Sequence, residues 1–239
     1  MALIIELFGM PGAGKSTYRI QLTEELRAAG IEVAEPGPMP REEGRYPRPL
    51  RSAATALSRV GLCLRNQRML WWCLSVLRRS PRPFSQKVAA FRLVFVTLER
   101  YREYQGDASD RVHIIDEGSL QRLFLLLVER DGAQTEVDRS VYMDAAPFAD
   151  VLLHIQISPE DALARLTGRG RRLPPRLLGL GEHQARLCLA QGDALLAKAA
   201  TEAAALRPPA RPTRRLLQFR SQGVARDSGT PDGVRPPTG

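Results

Sequence analysis

Nine residues near the amino end, Gly9 to Thr17, read GMPGAGKST and fit G-x-x-x-x-G-K-[ST], with Gly9, Gly14, Lys15 and Ser16 at the fixed places. Each position has a chemical reason. Glycines let the backbone turn tightly, so that successive N–H groups converge on one anion. The lysine carries a compact charge to outer phosphates, and the hydroxyl after it can hold Mg²⁺. Gly9, Pro11, Gly12, Ala13, Gly14, Lys15, Ser16 and Thr17 therefore form the expected site for a nucleoside triphosphate.

Two flanking elements have to position this loop. Ala2 to Phe8 (ALIIELF) is apolar except for Glu6 and reads as a buried parallel strand. Ser16 to Ala29 carries Ile20, Leu22 and Leu26 among polar residues, and Gly30 follows as a helix stop. A helix starting there places its positive dipole end beneath the phosphates.

Further along, Ile31 to Glu35 (IEVAE) reads as a second strand that Pro36-Gly37-Pro38 ends. Strand, loop, helix and strand make a right-handed crossover, so the sheet is expected to be parallel, with its ligand at the carboxyl ends of the strands. Glu35 lies at such an end and reads either as a carboxylate reaching a bound acceptor or as a solvated loop residue. Arg111 to Asp116 (RVHIID) is the third strand. Its terminal Asp116 stands where a carboxylate beside a phosphate loop meets the Mg²⁺ shell, Ser16 or Thr17; the other reading is a cap on the next helix. Asp150 to Ile157 is a fourth buried strand, and Ser158-Pro159-Glu160-Asp161 is a helix start. That helix leads into Gly168-Arg169-Gly170-Arg171-Arg172, an arginine cluster on a glycine hinge that suits a mobile lid over phosphates. Arg165 and Arg169, at helical spacing, are its better candidates for charge stabilisation.

Between the second and third strands, Leu50 to Arg79 and Phe84 to Gln105 read as helices separated by Ser80-Pro81-Arg82-Pro83, a helical layer over an acceptor pocket. Trp71, Trp72, Phe91 and Phe95 read as core residues there. Ser119 to Arg130, a short piece near Asp138 to Ala145, and Glu182 to Leu206 complete the helices. His113, His154 and His183 read as structural.

Composition narrows the classes. The formal charge of +9 is uneven, because residues from Arg207 onward hold seven arginines and two aspartates. With 32 arginines against three lysines, the excess reads as coding bias from a GC-rich, bacterial-type genome. No basic motif with interleaved aromatics argues for nucleic acid. The richest apolar run, Met69 to Leu77, is far shorter than a membrane span, and the amino end lacks the basic start of a signal peptide. Cys63, Cys73 and Cys188 are scattered without metal-ligand spacing and read as reduced thiols of a cytoplasmic protein.

FGMPGAGKST, the second-strand ending VAEPGP, IIDEG, and DVLLHIQISPEDALARLTGRGR together resemble the P-loop nucleoside and nucleotide kinase superfamily, thymidylate kinase and deoxynucleoside kinase most of all. The resemblance covers roughly residues 1 to 205. It implies an α/β, three-layer P-loop NTPase fold: a parallel sheet of order 2-3-1-4-5, helices on both faces and an arginine-rich lid. It also implies ATP with Mg²⁺ as donor and γ-phosphoryl transfer to a small acceptor. Glu35 matches the glutamate of the E-P motif, a base toward the acceptor hydroxyl. Asp116 matches the acid ending the third strand, so Lys15, Glu35, Asp116, Arg165 and Arg169 are the expected catalytic set, with Ser16 and Asp116 on the metal. Arg165 and Arg169 match lid arginines.

Two departures stand out. Where the relatives place arginine after the third-strand acid to hold the acceptor, this chain has Glu117, which argues against a phosphorylated acceptor unless Arg122 substitutes. After Ala205 no convincing fifth strand is found: it is degenerate around Leu216 to Phe219, or the carboxyl end is truncated or altered. The expected organisation is a kinase domain over 1–206, with a helical block at about 50–105 and a lid at about 165–176. A disordered Arg/Pro/Gly-rich tail over 207–239 would then be dispensable. The expected partners are a nucleoside triphosphate and a small-molecule acceptor, and a homodimer is compatible with the sequence. The rival reading is a non-catalytic nucleotide-binding module.

Overall fold

In the computed structural model, residues 2–34, 52–129, 137–168, 173–174, 177–206 and 216–220 are described. Strand β1 (Leu3–Phe8) lies at the centre of a parallel sheet, flanked by β2 (Val112–Ile115) on one side and β3 (Val151–Gln156) on the other. A fourth strand, β4 (Leu216–Arg220), pairs in parallel with β3, so the sheet runs β2-β1-β3-β4. The expected second strand, Ile31 to Glu35, is reduced to one parallel bridge between Val33 and Val112. Two hydrogen bonds hold it: Val112 N–H donates to Glu32 O at 2.8 Å and Ala34 N–H to Val112 O at 2.9 Å. Counting that bridge as the outermost position, the order is the 2-3-1-4-5 that the resemblance implies.

β4 corrects the expectation for the carboxyl end. A fifth strand is present at the place where a degenerate one was sought, paired along β3. Leu216–Arg220 thus belongs to the sheet rather than to a wholly irregular tail.

Alternation along β1 divides the core. Ile5 and Leu7 face a smaller cluster with Val33, Val112, Ile114 and Leu153, covered by Tyr18, Leu22 and Leu26 of α1 (Lys15–Ala28). Ile4 and Phe8 face the larger cluster on the opposite side, built from the remaining helices. Helices thus cover both faces. Helix α1 ends as expected: Gly30 takes φ +77°, and Ile31 N–H returns to Leu26 O at 2.9 Å.

The helical block departs from the expected single run over Leu50 to Arg79. It divides into α2 (Ser52–Arg65) and α3 (Gln67–Arg79) at Asn66, whose side-chain amide donates to Leu62 O at 2.9 Å. A short amide side chain competes with the helix ladder in this way. Trp72 is buried and donates its indole N–H to Asp138 O at 2.6 Å, but Trp71 is 71% exposed, against the expectation of a core residue. A one-residue step on a helix turns a side chain by about 100°, which carries Trp71 off the buried face. Phe91 and Phe95 pack partly buried against the core.

Helix α4 (Phe84–Gln105) begins and ends where expected. Helix α5 (Ser119–Leu127) stops three residues before the expected Arg130 because Arg82 reaches across to its carboxyl end. The Arg82 guanidinium donates to Leu125 O at 2.8 Å, Leu126 O at 2.9 Å and both Glu129 carboxylate oxygens. After α6 (Ser140–Ala145), helix α7 (Pro159–Gly168) starts on a reciprocal cap. Ser158 Oγ accepts from Asp161 N–H at 3.0 Å and donates to Asp161 Oδ2 at 2.8 Å. Helix α8 (Glu182–Leu206) presents Gly192 to the Phe124 ring of α5, and a Cβ there would stand 2.0 Å from Phe124 Cε2. Among the described residues no helix is long and apolar enough to cross a membrane.

Candidate nucleotide site

The loop between β1 and α1 has the shape its sequence requires. Gly9, Gly12 and Gly14 take φ of +148°, +87° and +93°. Packing makes two of them irreplaceable. A Cβ on Gly9 would lie 2.4 Å from Ile155 O, and one on Gly12 would lie 2.5 Å from Ala162 O. The loop is therefore wedged between the end of β3 and the wall of α7. Lys15 folds its ammonium back onto the loop, donating to Gly9 O at 2.8 Å and Met10 O at 3.1 Å. Ser16 and Thr17 are exposed in the first turn of α1, as a hydroxyl meant for an ion or a phosphate must be.

Arg165, in the last turn of α7, also comes to this loop. Its Nη1 lies 3.3 Å from the point a Cβ on Gly14 would occupy, so the guanidinium stands beside the last loop glycine. Glu35 and Arg169 lie outside the described residues, as does half of the expected lid.

Asp116 follows β2 directly, one step beyond the Glu6–Ile115 register pair, and so lies at the same end of the sheet as the loop. It is half-buried, with Oδ2 3.9 Å from Arg19 Nε of α1. No group of three His, Cys, Asp or Glu that could hold a metal occurs among the described residues. Magnesium held by a nucleotide needs no such group, because phosphates and water fill most of its shell around one hydroxyl and one carboxylate. The exposed Ser16 hydroxyl and the Asp116 carboxylate are donors of the chemical type such an ion takes.

Behind the loop lies a buried polar chain that the sequence reading passed over. Glu6 is fully buried in mid-strand, on the same face as Ile4 and Phe8. Its Oε1 accepts from Leu120 N–H at 2.9 Å and Gln121 N–H at 3.3 Å, at the amino end of α5, and its Oε2 accepts from Tyr101 O–H at 2.8 Å. Gly118 leaves the space: a Cβ there would be 2.3 Å from Glu6 Cδ. Burial pushes the Glu6 carboxyl up to about 7, against the pull of Tyr101, the two amides and Arg122. The Gln121 side chain then accepts from Gly9 N–H at 3.3 Å, joining α5 to the phosphate loop. One signal was available, a carboxylate inside an otherwise apolar strand. Its partners are 95 to 115 residues away in sequence, and nothing local names them.

Glu117, just past the end of β2, does not stand alone. Arg122 Nη2 donates to Glu117 Oε2 at 3.1 Å and to Glu117 O at 3.3 Å, while its Nε donates to Thr97 Oγ1 at 2.8 Å. The Arg122 side chain is buried, so this guanidinium is tied to Thr97 of α4 and to Glu117 in the turn after β2. Two of the three histidines have structural partners that spacing did not reveal. His113 bonds Asp107 at 2.8 Å and stacks on Tyr104; His154 bonds Asp193 at 2.9 Å and stacks on Phe8. The three cysteines are free thiols, and burial pushes Cys73 up to about 12, far from a reactive thiolate. A cleft between α2 and α4, lined by Arg59, Leu62, Glu99, Arg102, Glu103 and Gly106, includes none of the loop residues.

No protein-family model matches the sequence, and none of the curated proteins does. Among solved structures, the chain is similar in outline to deoxyadenosine kinase from M. mycoides with bound dATP, at 16% identity, 90% of each chain covered and a TM-score of 0.48. The same enzyme with products dCMP and a flexible dCDP aligns at 15% identity, 90% of each chain and 0.46, and with dCTP at 15%, 90% and 0.42. The likeness is one of outline, and the chemistry rests on this chain's own loop, acid and arginine.

Proposed function

We propose that this chain is an ATP-dependent phosphotransferase acting on a small hydroxylated acceptor, with nucleosides and sugars as the leading classes. The observation that carries the reading is the meeting of two cations from different elements, Lys15 of α1 and Arg165 of α7, on one glycine loop. A loop built only to hold a nucleotide needs the amides and the lysine. A second cation, here a guanidinium, is useful when charge spreads over a phosphoryl group in transfer.

In this reading the amides of Gly12 to Lys15 and the Lys15 ammonium hold the polyphosphate, and Arg165 neutralises its outer oxygens. Ser16 and Asp116 hold Mg²⁺, which when bound screens the phosphate charge. The bond from the γ-phosphorus to its bridging oxygen breaks, leaving ADP, and a bond to the acceptor oxygen forms. Glu35 takes the hydroxyl proton. The acceptor is unphosphorylated in this reading, because an acid stands at 117 and engages Arg122 Nη2, while Arg122 Nε is held by Thr97.

The test is ATP turnover with Mg²⁺ against pooled nucleosides, nucleoside monophosphates and sugars, with Lys15→Ala as control. Transfer to a nucleoside or sugar, lost in the control, supports the reading. Preference for a monophosphate would overturn the role given to Glu117. Binding and slow hydrolysis with no acceptor would favour a regulatory nucleotide-binding module.

A further inference from the structure

We propose that Glu6 and Gln121 are positioning residues for the phosphate loop, a buried strut that fixes Gly9 and through it Lys15. The proposal rests on the nucleotide-binding reading above. Gly9 is the corner where β1 leaves the sheet, and three contacts converge on it. Its N–H donates to Gln121 Oε1 at 3.3 Å, its carbonyl accepts from Lys15 Nζ at 2.8 Å, and its α-carbon lies against Ile155 O too closely for any side chain. The loop's trajectory from Gly12 to Lys15 follows from the angle set at that corner.

Gln121 can hold the corner only if α5 is itself fixed against β1, and Glu6 does that. One carboxylate oxygen takes two amides of the first turn of α5, where the helix dipole favours a negative charge. The other takes the Tyr101 hydroxyl, which ties in α4. Further support comes from Tyr142 of α6, whose hydroxyl donates to Ser119 O at 2.8 Å at the same helix end. The ionisable groups facing the Glu6 carboxyl are Tyr101 of α4, Arg122 of α5 and Tyr142 of α6. A carboxylate used only to stabilise the fold would gain nothing from Gln121 turning back to the loop.

The test uses the full chain with two variants. Gln121→Met keeps length and removes the acceptor; Glu6→Gln keeps shape and, at pH 8 where the carboxyl is ionised, removes the charge. Calorimetry with Mg·ADP and hydrogen exchange of the Gly9 amide are read together. Gln121→Met is expected to weaken ADP binding about tenfold, the size of one lost buried hydrogen bond, and to speed Gly9 exchange. The KM for the acceptor stays unchanged. Glu6→Gln is expected to weaken ADP severalfold. Wild-type ADP affinity in a folded Gln121→Met variant overturns the strut, as does unchanged Gly9 exchange. If the wild-type protein takes up no ADP, the nucleotide reading itself fails and the strut's role falls with it. Failure of the variants alone leaves that reading standing.

Discussion

The Glu6 carboxyl gives the sharpest test of how this core is built. It is fully buried on the central strand, and burial raises it from 4.5 to about 7 although three hydrogen bonds and Arg122 pull it down. A raised acid holds its proton in the folded state where the unfolded chain has released it. Its contribution to stability is therefore complete below pH 4.5 and is lost as pH rises to about 7. The interval of about 2.5 pH units, at about 1.36 kcal/mol each, amounts to about 3 kcal/mol. Glu6→Gln has no such titration. In urea unfolding across pH 4 to 8, the stability of wild type minus that of Glu6→Gln should fall by about 3 kcal/mol between pH 4.5 and 7. The slope should not exceed about 1.4 kcal/mol per unit, and the difference should be flat outside that window. Subtracting the variant cancels every other titrating group. A difference that stays level, or that grows with pH, would refute the reasoning: it would mean that Tyr101 and the two amides outweigh desolvation.

Three further outcomes are expected. Gly192→Ala forces a methyl into the Phe124 ring and should cost about 1–3 kcal/mol as overpacking, part of it recovered by Phe124→Leu in a double-mutant cycle. Trp72→Ala should cost about 3–5 kcal/mol, whereas Trp71→Ala should stay within about 0.5 kcal/mol of wild type; urea midpoints separate them. Truncation after Leu206 removes β4 from the edge of β3 and should lower the urea midpoint and promote association through the exposed edge. An unchanged midpoint would show that the sheet gains nothing from β4.

The phosphate loop, the strands around it and the bounds of α4 and α8 were legible from the amino-acid order alone. Their signals are local: glycines at fixed spacing, an unbroken apolar run, a proline pair before Phe84, a serine cap at Ser158. The parallel sheet followed as well, because a strand–helix–strand crossover leaves little choice of hand. Tertiary structure decided the rest. It alone brings Glu6 to the amino end of α5, Gln121 to Gly9, Arg165 to Gly14 and Arg82 to the carbonyls that end α5, across separations no periodicity spans. It also recruited Leu216–Arg220 as a strand, a weak segment whose state depends on finding the open edge of β3. Local chemistry writes a loop that fits a phosphate, but what holds that loop in place is buried polar contact between distant parts of the chain.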